Sequence, residues 1–168
     1  RESSAGIGSS GSYNKYAKNW DASVKGSIEI GSSTVKARGG SGGAGIGAGE
    51  GATFDSGTEI IFRGDCKIDA AGGVGGAGIG GGKAGYDDRG GESCPITVSM
   101  SRTAYKENPE DTEAYVKAQG GAGAAGIGSG GANGTGGDPN DAEEITIYGG
   151  YVYAKGGDEG DIKAGSGA

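Results

Sequence analysis

Pairs of apolar residues separated by a single polar one recur along this chain. Ile28-Glu29-Ile30 is followed by Val35-Lys36-Ala37, and the couple returns as Ile60/Phe62 with Ile68/Ala70, Ile96/Val98 with Val116/Ala118, and Ile145/Ile147 with Val152/Ala154. A period of two belongs to a strand with one buried and one wet face. Each couple therefore predicts two short strands joined by a turn rich in Gly and Ser. Gly-rich runs carry a third recurring element, the phrase Ala5-Gly6-Ile7-Gly8, which returns at Ala44–Gly47, Ala77–Gly80 and Ala125–Gly128.

Repetition on this scale indicates one supersecondary unit stacked on copies of itself. The expected fold is all-β, a parallel β-helix of four to five coils with a Gly-rich third face. Its coils are read as 1–26 (partial), 27–58, 59–94, 95–143 and 144–168 (partial), within a single repeat domain that looks excerpted from something longer. The complete coils vary in length because polar insertions, notably 99–114 and 131–144, leave a constant frame. On the third face Ala and Ile alternate with Gly, so its outer side is expected to be bare backbone. Such a surface would either let the coil stay narrow or receive a flat ligand or a neighbouring chain. A bundle of polyglycine-type helices is the rival architecture, and the I-x-I and V-x-A segments argue against it.

Composition narrows the picture. Of 168 residues 43 are Gly and 33% are hydrophobic, with two Phe, one Trp and one Met, so a thin core repeated along an axis fits better than a broad one. Fifteen Lys and Arg against 22 Asp and Glu leave a net charge of −7. That balance argues against nucleic acid and anionic membrane as partners. No apolar run reaches the roughly 18 residues of a membrane span, so no membrane insertion is expected. The chain contains no His, which removes Ser-His-Asp and Cys-His catalysis.

The segments ITIYGGYVYAKGG, GGSGGAGIGAG and GGVGGAGIGGG resemble repeats of large bacterial cell-surface proteins of the carbohydrate-binding type. The resemblance covers nearly the whole chain. It implies a right-handed parallel β-helix on an extracellular, secreted or surface-attached protein, and it carries no family active site. A weaker resemblance is to the glycine-rich tip adhesins of T-even phage tail fibres. Both imply recognition at a surface.

With Ile and Val inward, the outward residues should stack in columns, Thr34-Lys67-Tyr115-Tyr151 and Lys36-Asp69-Lys117-Tyr153. Tyr115, Tyr148, Tyr151 and Tyr153, with Lys117, then form an aromatic, hydrogen-bonding patch suited to a polysaccharide or cell-surface glycan. The expected function is adhesion or glycan binding without catalysis and without a required cofactor. The alternatives are a stalk that self-associates through its Gly faces, and a polysaccharide-active enzyme using paired carboxylates. Asp138 with Asp141, and Asp158 with Asp161, lie in Gly-rich turns where their oxygens could ligate calcium. Cys66 and Cys94, at comparable places one repeat apart, are read as a disulfide, with two buried thiols as the alternative. The tripeptide Arg63-Gly64-Asp65 is read as chance, and the aromatic segment 13–20 as a cap on one end of the solenoid.

Overall fold

The computed structural model describes residues 3–11, 13–14, 19–20, 23–85, 91–101, 114–132 and 141–158. Among these residues there is no α-helix. The strands, in chain order, are β1 (Ile7–Gly8), β2 (Tyr13–Asn14), β3 (Asn19–Trp20), β4 (Ser23–Val24), β5 (Ile28–Gly31), β6 (Thr34–Arg38), β7 (Ile46–Gly47), β8 (Thr53–Phe54), β9 (Ile60–Gly64), β10 (Lys67–Ala71), β11 (Ile79–Gly80), β12 (Ile96–Met100), β13 (Tyr115–Gln119), β14 (Ile127–Gly128), β15 (Ile145–Gly149) and β16 (Tyr151–Lys155). They assemble into three four-stranded sheets, ordered β5-β9-β12-β15, β6-β10-β13-β16 and β1-β7-β11-β14, whose adjacent strands are parallel. Each strand pairs with its counterpart one coil away, which makes the fold a parallel β-helix. A short parallel pair, β4 with β8, adds a fourth edge, and β2 with β3 forms an antiparallel hairpin with Tyr13 opposite Trp20.

The core is a set of columns. Ile28, Ile60, Ile96 and Ile145 stand in register, as do Ile30, Phe62, Val98 and Ile147, and Val35, Ile68, Val116 and Val152, although Ile147, expected to point inward, is 52% exposed on the last strand of its sheet. Ile7, Ile46, Ile79 and Ile127 complete the cross-section from the third sheet. The middle members are fully buried. Stacking apolar residue on apolar residue at each level, Ile on Ile in the first column and a mixture of Ile, Phe and Val in the second, holds neighbouring coils in one register.

Each two-residue strand of the third sheet is the inner tip of a pinch. The Ala44 N–H donates to the Ala48 carbonyl at 2.9 Å, and the same bond recurs as Ala5 to Ser9, Ala77 to Gly81 and Ala125 to Ser129. Ile46, Ile79 and Ile127 thus project into the core while the Gly-rich arms fold around them. The expectation of a bare outer backbone is corrected here. Gly43, Gly45, Gly47 and Gly49, and their equivalents in the next two coils, are buried. Backbone packs on backbone: a Cβ built on Gly82 would overlap the Gly49 carbonyl, and one on Gly130 the Gly82 carbonyl. In the inner coils the glycines are engaged in coil-to-coil contact within the chain, whereas Gly6 and Gly8 of the first coil are exposed.

Cys66 and Cys94 are both buried and unpaired, against the expected disulfide. They do not occupy equivalent positions. Cys66 precedes β10 and is level with Ser33 and Ala114, whereas Cys94 lies two residues before β12 and is level with Thr58. A strand rising about 3.3 Å per residue separates the two corners, beyond the reach of a disulfide. Cys66 Sγ instead donates to Met100 Sδ at 3.1 Å. Chain unfolded in the absence of reductant should therefore titrate with two thiols. A cross-linked Cys66–Cys94 peptide in a non-reducing digest would contradict this placement.

Candidate functional site

The sheet of β6, β10, β13 and β16 alternates Val, Ile and Ala inward with polar and aromatic residues outward. Its register aligns Thr34, Lys67, Tyr115 and Tyr151 in one column and Lys36, Asp69, Lys117 and Tyr153 in the next. Neighbouring coils are about 4.8 Å apart, close enough for adjacent rings and ammonium stems to touch a common ligand. Tyr115 and Tyr151 are half-buried, whereas Tyr153 is 41% exposed. Lys117 is half-buried between Asp69 and Tyr153 in its column.

Tyr148 does not share this sheet. Opposite β12, Val98 pairs with Ile147 and Ser99 with Gly149, so Tyr148 is the extra residue of a β-bulge in β15. The bulge leaves it unpaired in the ladder and 71% exposed. It stands around the Gly149-Gly150 corner from Tyr151. The expected four-tyrosine patch is therefore three tyrosines on one sheet and a fourth on the adjoining one.

Within the Lys36-Asp69-Lys117-Tyr153 column, Asp69 forms a salt bridge with neither lysine. Asp69 is taken by Arg38 of the neighbouring column, with Arg38 Nη2 at 3.2 Å from Asp69 Oδ2 and Arg38 Nη1 donating to the Asp69 carbonyl at 3.0 Å. On the adjoining sheet Arg63 Nε contacts Glu29 Oε1 at 3.0 Å, so the arginine of Arg63-Gly64-Asp65 is engaged within the fold.

A cleft of about 310 Å³ runs along the corner that leads into β9, β12 and β15, lined by Phe54, Asp55, Ser93, Cys94, Pro95 and Glu143 among others. Its side chains come from three coils, which is why no local motif pointed to it. The recurring position two residues before each I-x-I couple, Thr58, Cys94 and Glu143, was the available signal. The Thr58 hydroxyl donates to the Val24 carbonyl at 3.2 Å, and the Glu143 N–H donates to Ser93 Oγ at 3.2 Å. These bonds brace the corner. Burial, opposed in part by backbone N–H groups and reinforced by the Glu59 and Glu143 carboxylates, pushes the Cys94 thiol up to about 12 from 9.0. Burial likewise raises Cys66. Both are inert protonated thiols at neutral pH.

A raised thiol pKa means that the unfolded chain loses this proton first as pH rises. The associated stability is complete below pH 9.0 and declines toward about 12, by roughly 1.4 kcal/mol per pH unit at most. Urea melts between pH 8 and 11 should show the decline. Cys94→Ala should flatten it, and an unchanged slope in that variant would refute Cys94 as its source.

Of the acids considered for calcium, Asp138 and Asp161 lie outside the described residues. Asp141 and Asp158 are exposed, and among the described residues no three His, Cys, Asp or Glu side chains converge as a metal site. The Asp158 carbonyl is occupied structurally, accepting the Gly123 N–H at 3.1 Å. Searches for similar proteins found no matching protein family, no matching curated protein and no matching solved structure.

Proposed function

We propose that this chain is a non-enzymatic β-solenoid module that binds glycan at an extracellular surface, acting in adhesion. The observation that carries the reading is the alignment of Tyr115 with Tyr151 and of Lys117 with Tyr153 on one rigid parallel sheet. Tyrosine offers a flat apolar ring for the C–H face of a sugar and a hydroxyl for its oxygens. Strands hold such groups at fixed spacing, so little ordering entropy is lost when a polymer settles across them. The fold contributes a pre-organised platform, and the resemblance of its repeats to those of surface proteins agrees with that use.

The test is a glycan array probed with the native chain and with Tyr151→Ala/Tyr153→Ala. Because Tyr153 is 41% exposed, its loss should leave the fold intact, which circular dichroism checks. Binding should fall about tenfold or more per ring removed. Retention of full binding by the double variant, or no binding by the native chain to any glycan, would defeat the proposal.

A further inference from the structure

The same sheet concentrates positive charge. Its outward positions hold Lys36, Arg38, Lys67, Lys117 and Lys155 against a single acid, Asp69. Five of the chain's 15 basic residues thus share one face of a protein whose net charge is −7. Asp69 is already ion-paired to Arg38. Among the described residues, no salt bridge engages any of the four lysines. On the described surface, four lysines outside any described salt bridge are thus interleaved with Tyr115, Tyr151 and Tyr153. Acidic side chains collect elsewhere, as Asp55, Glu92 and Glu143 do in the corner cleft.

Clustering like charges on a rigid surface is unfavourable unless an opposite charge neutralises them, and such a cluster draws anions toward it. We infer that the ligand of this face is an anionic polysaccharide, one bearing carboxylate or sulfate groups along a chain of sugar rings. The inference rests on the glycan reading above and adds the charge of the glycan. Outward residues repeat about 6.6 Å apart along each strand and about 4.8 Å apart between coils. A ring stacked on Tyr151 or Tyr153 can then place its anionic group on Lys117 or Lys155. Nucleic acid fits less well, since its dense phosphate charge would meet the field of a net-acidic protein while only four cations answer it.

Three forms of one polymer separate the possibilities: unmodified dextran, carboxymethyl dextran and dextran sulfate, each immobilised and titrated with the native chain at two salt concentrations. The anionic forms should bind at least tenfold more tightly than dextran, and less so in high salt. Retention of one anionic form over the other identifies the group as carboxylate or sulfate. Lys→Gln at positions 36, 67, 117 and 155 should weaken binding roughly fivefold per residue, as for exposed charge contacts, without changing the melting temperature by more than a few degrees. Equal binding of dextran and its anionic forms would overturn the inference while leaving the glycan reading standing. Binding that survives Tyr151→Ala/Tyr153→Ala but vanishes in the lysine variants would sink the tyrosine reading alone. Displacement of dextran sulfate by a thymidine oligonucleotide of matched charge and equal potency would overturn the assignment to polysaccharide, as would the absence of binding to all three dextrans.

Discussion

Gly80→Ala should be among the most damaging small substitutions in this protein, lowering stability by about 2–6 kcal/mol. Gly8, Gly47, Gly80 and Gly128 form one column with φ between 124° and 134°, a region that residues with a Cβ rarely enter. Strain is only half of the expected loss. A Cβ on Gly80 would overlap the Gly128 carbonyl of the next coil and press on the Ser93 Cβ at 3.2 Å. The coils cannot separate to admit it without breaking the ladder bonds on either side. Gly57 provides the control, because it too has positive φ, 79°, but nothing lies within 4 Å of its Cβ position. Gly57→Ala should lower stability by only about 1 kcal/mol. Thermal and urea melts of the two variants decide the matter: equal losses would mean that the close backbone contact does not exist.

Phe62→Ala should lower stability by about 3–5 kcal/mol. Phe62 is the largest of the fully buried side chains, and it stands in the column between Ile30 and Val98. Truncation would leave a cavity that a ladder of hydrogen bonds keeps from collapsing. Phe62→Leu, which conserves most of the volume, should cost less than about 1.5 kcal/mol. Because a solenoid is coupled chiefly through nearest neighbours, hydrogen exchange should rise first in β5, β9 and β12. A loss below about 1.5 kcal/mol for the alanine variant, or exchange rising uniformly across the chain, would contradict the packing described. The same coupling links this core to function, since Tyr115, Tyr151 and Tyr153 hold their spacing only while the coils beneath them stay in register.

The strands and their pairing were legible in advance because period-two patterning and repetition agree: apolar meets apolar at the predicted positions in every coil, with Ile28, Ile60, Ile96 and Ile145, and Ala37, Ala70, Ala118 and Ala154, stacking like on like. The Tyr and Lys columns followed from the same register. Tyr148 was misplaced because a bulge inserts one residue between Ile147 and Gly149, and the sequence there, Ile-Thr-Ile-Tyr-Gly, reads equally well without one. The cysteines were paired on repeat spacing alone, whereas Cys66 and Cys94 stand at opposite ends of the first sheet's strands.

What the amino-acid sequence determined by itself is therefore the coil: which residues point inward, which strands stack, and which side chains share a column. These follow from local periodicity and from repetition, both of which are written along one dimension. The tertiary structure alone decided what lies across a corner or against the next coil. It buried the glycine arms that were expected to be bare, because a missing side chain shows no preference for solvent until another backbone fills its space. It gathered Asp55, Glu92 and Glu143 from separate coils into one cleft. It also turned Asp69 away from the lysines of its own column to Arg38 of the next, because an ion pair is selected in space among neighbours that the register only lines up.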